Sequence, residues 1–141
     1  MSTIIGIDPG ANTGIAVAQN GQLYSLRTIE PQDLQALLRE YSEWSELSVV
    51  FEDSRKQSHV WMTNANRVVA LKMARDLGQV DAWCSLIESA CAQHAIPCTG
   101  VSPKAKGAKV TTATLKRLTG WEGRSNQHER DAAMLVIGGK S

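Results

Sequence analysis

The 141-residue sequence predicts an α/β domain in which helices flank a central mixed sheet of five strands. Turn-forming residues divide residues 3–27 into three short strand-like stretches, which indicates three antiparallel strands. Helical periodicity then alternates with two further apolar stretches, residues 47–51 and 96–101. Such alternation is typical of strands that join a sheet in parallel through crossover helices.

Composition excludes several classes of protein. With 43% hydrophobic residues and no low-complexity tract, the chain is expected to form one domain over residues 1–141. No apolar stretch approaches the ~20 residues of a membrane span and no signal peptide precedes the first strand, so we expect a cytoplasmic protein. The three cysteines lack Cys-x-x-Cys spacing, which argues against a disulfide framework and against a structural zinc site.

The first predicted strand carries a single acid. Ile4, Ile5 and Ile7 predict a buried strand that ends at Asp8, before the turn residues Pro9-Gly10. A carboxylate beside a core costs several kcal/mol unless a cation pairs with it, and no Lys or Arg lies nearby in the chain. A metal ion is therefore the natural partner of Asp8, although a simple turn-forming role remains the alternative.

A second apolar strand also ends in an acid. A helix is expected to start at Pro31, and its apolar residues through Tyr41 have helical spacing. Residues 47–51 then predict a strand that ends at Glu52. If this strand and the first are parallel neighbours, Asp8 and Glu52 emerge at the same edge of the sheet. The alternative is that Glu52 merely begins a polar loop.

Residues 53–67 are polar and predict a surface loop. Arg55 and Lys56 are candidates to hold a phosphate backbone, and Trp61 is a candidate to stack on an unpaired base. Alternatively, Trp61 folds back onto the core, as most large aromatic side chains do.

Residues 67–94 predict one long helix. Its apolar residues lie on more than one side, so we expect it to contact something besides its own sheet, and a homodimer interface fits this pattern. Residues 96–101 follow as the last predicted strand.

A basic segment follows the last strand. Thr111 or Thr112 is expected to cap a short helix that runs through Leu118 and stops at Gly120. A solvated charge run is the ordinary explanation of the basic residues, and phosphate contact is the competing one. The basic residues of this segment are Lys104, Lys106, Lys109, Lys116, Arg117, Arg124 and Arg130.

The last helix presents two further metal-ligand types. Asn126 with Glu129 forms a capping-box pattern, and His128 and Asp131 lie on one face of the helix that follows. If this face meets the sheet, two carboxylates at strand ends join a histidine and an aspartate on a helix. Such ligands suit Mg²⁺ or Mn²⁺, and two such ions can bind both sides of a scissile phosphodiester. The four residues therefore predict a nuclease active site.

The ordered set of motifs resembles the RuvC-type Holliday junction resolvases, which have the ribonuclease H-like fold. The resemblance spans nearly the whole chain. It is carried by Ile-Gly-Ile-Asp-Pro-Gly with Thr13-Gly14, Val-Val-Phe-Glu ending at Glu52, Leu77-Gly78-Gln79, Val101-Ser102-Pro103-Lys104 and His128-Glu-Arg-Asp131-Ala-Ala.

The resemblance implies a metal-dependent homodimer that nicks two strands symmetrically at a four-way DNA junction, leaving 5′-phosphate and 3′-hydroxyl ends. Matched by position, Asp8, Glu52 and Asp131 correspond to the acidic ligands, and His128 falls where the family has Asp or His. Lys104 to Lys116 cover the region of the family's catalytic and phosphate-binding lysines. Trp61 is similar in placement to an aromatic junction wedge. The chain is shorter than typical cellular members, which fits a phage-type or otherwise streamlined enzyme.

Two other functions are compatible with parts of this pattern. A ribonuclease H-like nuclease could act on general branched DNA or on structured RNA instead of four-way junctions. The residues around Asp8 and Thr13-Gly14 also resemble the first phosphate loop of actin-like ATPases, which would make the chain a nucleotide-binding module.

Overall fold

The computed structural model describes residues 2–57, 66–103 and 108–138. The predicted five-stranded mixed sheet flanked by helices is confirmed. The strands are β1 (Thr3–Asp8), β2 (Thr13–Gln19), β3 (Gln22–Ile29), β4 (Leu47–Glu52) and β5 (Cys98–Val101). The helices are α1 (Leu34–Tyr41), α2 (Arg67–Gln93), α3 (Thr112–Thr119) and α4 (Gln127–Gly138).

The strand order across the sheet is β3-β2-β1-β4-β5. The first three strands form an antiparallel meander, and β4 and β5 add to it in parallel on the other side of β1. In the parallel pair, Ile7 lies opposite Phe51, so the two strands end together at Asp8 and Glu52. The structure thus has the predicted connections, with three antiparallel strands joined by turns and two parallel strands joined through crossovers.

Two hydrophobic clusters cover the two faces of the sheet. Alternation along β1 directs Ile5 and Ile7 into the larger cluster, which includes residues of α1 and α2. The opposite face carries small residues such as Ala16, which pack against Ala132 and Ala133 of α4. The domain therefore has three layers, with α1 and α2 on one side of the sheet and α3 and α4 on the other.

Glycines in β1 and β2 let α4 lie directly on the sheet. A Cβ atom on Gly14 would overlap the backbone carbonyl of His128. A Cβ atom on Gly6 would lie 2.5 Å from the carbonyl oxygen of Ala132. These two positions therefore set how closely α4 approaches β1 and β2.

Several predicted helix boundaries are confirmed by their hydrogen bonds. Thr111 caps α3 by accepting a hydrogen bond from the Thr114 amide, and Gly120 ends the helix with φ of 78°. At α4, the Glu129 amide donates to Asn126 Oδ1 at 2.8 Å and the Asn126 amide donates to Glu129 Oε1 at 3.1 Å. This reciprocal pair is the capping box that the sequence predicts.

Several predicted boundaries differ from the structure, and the last strand, predicted over residues 96–101, begins only at Cys98. Pro31–Asp33 forms a 3-10 turn, and α1 begins only at Leu34. The prediction of a surface loop from residue 53 onwards is wrong at its start, because Ser54–Lys56 forms a 3-10 turn in which Asp53 and Ser54 are buried. Asp53 caps this turn by accepting a hydrogen bond from the Arg55 amide at 3.0 Å.

The described part of the chain includes all three cysteines. Cys84 and Cys91 are buried thiols and Cys98 is half-buried, and none of the three is in a disulfide. No helix within the described ranges combines the length and the apolar character that a membrane span requires.

Candidate active site

The first two predicted ligands lie side by side at the end of two parallel strands. Asp8 is 8% exposed, and the Oε1 atom of Glu52 is buried. Alternation along the strands places both residues on the face opposite Ile7 and Phe51, which is the face that α4 covers. The sheet therefore delivers two carboxylates towards α4.

Helix α4 brings the other two predicted ligands to the same place. Its small residues Ala132 and Ala133 are fully buried against the sheet, and the first turn of the helix lies beside Gly14. Asp131 is 7% exposed, whereas His128 is exposed. Both residues line a cavity of about 440 Å³ whose wall also includes Asp8, Glu52 and Lys109. Residues from two strands, one helix and the basic segment thus share one cavity.

The carboxylate of Asp131 has a partner at each oxygen. The Lys109 ammonium donates to Oδ2 at 3.0 Å. The Gln127 amide donates to Oδ1 at 2.8 Å. Because the Asp131 side chain is only 9% exposed, these contacts offset much of the cost of burying its charge.

Arg130 contacts Gln127 and the residue that follows Lys109. Its guanidinium donates to Gln127 Oε1 at 3.3 Å, which turns the Gln127 amide nitrogen towards Asp131. It also donates to the carbonyl oxygen of Val110, the residue after Lys109, at 2.9 Å. The other acceptors of this guanidinium are Thr112 Oγ1, the Ser125 carbonyl oxygen and Ser125 Oγ. The donors of Arg130 therefore serve contacts within the protein, and phosphate contact by the basic segment stays a prediction.

The set of side chains around the cavity suits a hard divalent cation. Asp8, Glu52 and Asp131 offer carboxylate oxygens and His128 offers an imidazole nitrogen, which are ligand types that Mg²⁺ and Mn²⁺ accept. Within the described ranges, no three His, Cys, Asp or Glu side chains already stand as a ready-made metal centre. The ligand types fit a metal, and the role of these four residues as its ligands stays a prediction.

Arg55 and Lys56 make contacts within the protein. The Arg55 guanidinium lies 2.8 Å from Asp53 Oδ1 and 2.9 Å from Glu88 Oε2, and it lowers the pKa of the Asp53 carboxyl. Lys56 Nζ donates to the Gly100 carbonyl oxygen at 2.6 Å. These contacts fix the chain that leaves Glu52, and the predicted DNA contacts of Arg55 and Lys56 stay predictions.

The remaining predicted site residues lie away from the cavity or outside the described residues. Lys116 lies on the exposed surface of α3, with Nζ 3.8 Å from Glu122 Oε1, and does not line the cavity. Trp61, Lys104 and Lys106 fall outside the described residues.

Gln127 is a site residue that the sequence analysis did not identify. It contacts Asp131 at a spacing of four residues and Arg130 at a spacing of three, so all three lie on neighbouring positions of α4. That spacing was a usable signal. However, a glutamine in the first turn of a helix ordinarily faces solvent, and only the position of α4 on the sheet makes its amide a contact of the cavity.

Comparison with known proteins identifies the fold. No family model and no curated protein sequence matches this chain. A solved structure of Thermus thermophilus RuvC in complex with a Holliday junction substrate matches with a TM-score of 0.66 and 16% identity, covering 97% of this chain and 91% of that one. A structure of RuvC from the same organism matches with a TM-score of 0.61 and 13% identity, covering 96% and 91% of the two chains. The chain therefore has the RuvC-type, ribonuclease H-like fold.

Proposed function

We propose that this protein is a Holliday junction resolvase, a metal-dependent endodeoxyribonuclease that nicks four-way DNA junctions symmetrically in a bacterial or phage-infected cell. The observation that carries the proposal is the single cavity that gathers Asp8, Glu52, His128, Asp131 and Lys109. The likeness to a RuvC fold solved with a Holliday junction supports DNA junctions as the substrate class. The products would carry 5′-phosphate and 3′-hydroxyl ends.

In this proposal, Asp8, Glu52, Asp131 and His128 hold Mg²⁺ or Mn²⁺, with two ions in each site. When bound, such ions activate water and stabilise the leaving oxygen of a phosphodiester. The rigid ends of β1 and β4 fix the positions of Asp8 and Glu52, so these ligands need little reorganisation. Asp131 reaches the same cavity from α4, whose position is set by Gly14.

The protein's own side chains supply the remaining chemistry. The exposed imidazole of His128 at the cavity wall would complete the ligand set of the metal or orient the attacking water. The ammonium of Lys109 can neutralise charge that builds up on the phosphate in the transition state. Lys104 is proposed to assist in the same way.

DNA binding is proposed to use basic residues around this cavity. Lys109 lies at its wall and Lys116 on the nearby α3 is exposed, so both ammonium groups can approach phosphates. Trp61 would stack on an unpaired base at the branch point. The other proposed DNA contacts are Arg55, Lys56, Lys104 and Lys106.

A homodimer through α2 is proposed because two active sites are needed for symmetric nicks. All the buried residues of α2 lie in its second half, from Cys84 onwards. In its first half, Val68 is 78% exposed, Val69 44% and Leu71 53%. A second copy of the helix would cover this apolar surface.

The test of this function is cleavage of an immobile four-way junction with Mg²⁺, with each strand labelled separately. Paired nicks at symmetric positions of two opposing strands are expected. A replication flap and an RNA hairpin are assayed beside it at the same protein concentration. Faster cleavage of the flap or the hairpin would replace the proposal with a general branched-DNA or RNA nuclease.

The nucleotide-binding alternative is tested by titrating the protein with ATP in a calorimeter. The proposal predicts no saturable heat of ATP binding. Saturable ATP binding, together with no cleavage of any of the three nucleic acids, would favour an actin-like module.

A further inference from the structure

The ion pair between Lys109 and Asp131 joins an exposed, flexible side chain to a buried one. Lys109 is 69% exposed, whereas the Asp131 side chain is 9% exposed and lies on a helix packed against the sheet. The ammonium stands 3.0 Å from Oδ2, on a carboxylate that also lines the cavity of the proposed metal site. A positive charge of the protein thus contacts one of the proposed ligand atoms.

Gln127 and Lys109 both contact Asp131, and they are held with different firmness. Gln127 is clamped between Asp131 and the guanidinium of Arg130, which itself has four further contacts with residues 110–125. Lys109 has a flexible four-carbon stem, and most of its surface contacts water. The Lys109 contact is therefore the one that can open at little cost.

A metal ion and the Lys109 ammonium cannot both be in close contact with Asp131 Oδ2. Two cations within ~4 Å repel each other strongly where water is partly excluded, so binding of one opposes binding of the other. Gln127 presents no such conflict, because its neutral amide contacts the other oxygen, Oδ1.

From these contacts we propose that Lys109 is an exchangeable cation of the active site. In the metal-free protein it neutralises Asp131, and on metal binding it leaves Oδ2 and becomes available to the phosphate of the DNA. This inference rests on the proposed function, since it assigns a metal to Asp131. It adds that metal binding at Oδ2 of Asp131 releases the Lys109 ammonium for contact with the substrate.

The proposal predicts that removing an active-site charge raises the affinity for metal, whereas most substitutions in a metal site lower it. Lys109→Gln should bind Mn²⁺ more tightly than the wild-type protein in the absence of DNA, because the competing charge is gone. A gain of about tenfold is expected, which is a typical size for coupling between two interactions. Lys109→Arg, which keeps the charge, should bind Mn²⁺ about as the wild-type protein does.

The measurement is isothermal titration of DNA-free protein with Mn²⁺, and thermal unfolding with and without Mn²⁺ supplies a second readout. Lys72→Gln is the matched control, because Lys72 also forms a 2.9 Å ion pair with an aspartate, Asp76, but on the exposed surface of α2. This control should leave Mn²⁺ affinity unchanged. The unfolding temperature of Lys109→Gln should rise more on adding Mn²⁺ than that of the wild-type protein.

Two results would overturn the inference, and they are distinguishable. If Lys109→Gln binds Mn²⁺ no more tightly than the wild-type protein while Asp131→Asn binds it more weakly, the exchange is wrong and the proposed metal site stands. If Mn²⁺ binds to none of these proteins, both the exchange and the proposed metal-dependent function fail.

Discussion

Asp53 follows the proposed ligand Glu52 directly, yet its carboxylate has a structural task. It accepts hydrogen bonds from the Arg55 backbone amide and from two guanidinium nitrogens, and its side chain is only 4% exposed. Glu88 of α2 contacts the same guanidinium, with Oε2 2.9 Å from the Nη2 nitrogen that also donates to Asp53 Oδ2. This network connects the end of β4 to α2 immediately beside the proposed site.

Arg55→Ala should lower the free energy of unfolding by about 1–3 kcal/mol, because it leaves the buried Asp53 carboxylate without its charged donor. Urea unfolding at neutral pH measures this change. Arg55→Lys is the control and should restore only part of the loss, since an ammonium cannot reproduce the two-pronged contact. Equal stability of the alanine variant and the wild-type protein would contradict this account of Asp53.

The same contact predicts a dependence on pH. The Arg55 guanidinium lowers the pKa of the Asp53 carboxyl below its ordinary value of 3.8, so the folded protein favours the ionised form. The stabilisation is therefore fully present above that value and is lost as the pH falls through the lower pKa of the folded state. Urea unfolding between pH 6 and the acid range should show a smaller loss of stability for Arg55→Ala than for the wild-type protein. Equal losses would contradict the assignment.

Sequence reasoning identifies individual residues whose role follows from a local pattern. Asp8 and Glu52 could be selected because each is a lone acid at the end of an apolar strand. The role of Arg130 could not, since it depends on where α4 and residues 108–112 meet in three dimensions. The spacing of Gln127 from Asp131 was a signal, but only the position of α4 on the sheet makes that contact part of the cavity. A count of basic residues likewise does not distinguish Arg130, which is used inside the protein, from the exposed Lys116.

Helix α4 is the element that completes the site, and its position depends on a glycine in the facing strand. Gly14→Ala should force α4 away from β2, because the added methyl group would overlap the His128 carbonyl. We expect a loss of at least ~2 kcal/mol in the free energy of unfolding. Cleavage should fall further than this loss explains, since His128 and Asp131 move with the helix.

Chemical unfolding and cleavage under conditions where both proteins are folded measure the two effects of Gly14→Ala. Gly78→Ala is the control, since a Cβ atom there would meet no described atom within 4 Å and alanine favours a helix. If Gly14→Ala leaves both stability and cleavage unchanged, the close approach of α4 does not set the site.

The proposed dimer is also a property of one element. Leu71→Glu should weaken self-association at least tenfold, because Leu71 is 53% exposed on the first half of α2, where a second copy is proposed to pack. Sedimentation over a range of protein concentrations measures this. Leu118→Glu is the matched control, since Leu118 is 51% exposed on α3, outside the proposed interface. A wild-type monomer, or equal effects of the two variants, would contradict the α2 interface.

Element boundaries were predictable where the signal is local. The capping box of Asn126 and Glu129 and the Gly120 stop are fixed by residues within one turn, so they could be recognised in the sequence. The structure at the start of the segment after β4 could not be recognised in the sequence. There, the buried Ser54 donates a hydrogen bond to Asp81 of α2, which lies 27 residues further along the chain. Long-range contacts override the polar appearance of that segment.

The whole molecule follows from the order of its elements. Turn signals predict the antiparallel meander, and a crossover helix before β4 predicts its parallel addition to β1. That addition places Asp8 beside Glu52, and the order of the sheet therefore leads to the proposed function. The proposed assembly of two such molecules on a junction depends on surface residues and does not follow from the order of the elements.

The most direct test of the central claim is the cleavage rate of a four-way junction under Mg²⁺ by the wild-type protein and by Asp8→Asn, with junction binding measured on the same samples. Removing a proposed metal ligand at the rigid end of β1 should lower the rate by at least about a thousandfold, equivalent to ~4 kcal/mol of transition-state stabilisation, while binding stays within a few fold. An Asp8→Asn variant that cleaves the junction at the wild-type rate would contradict the account.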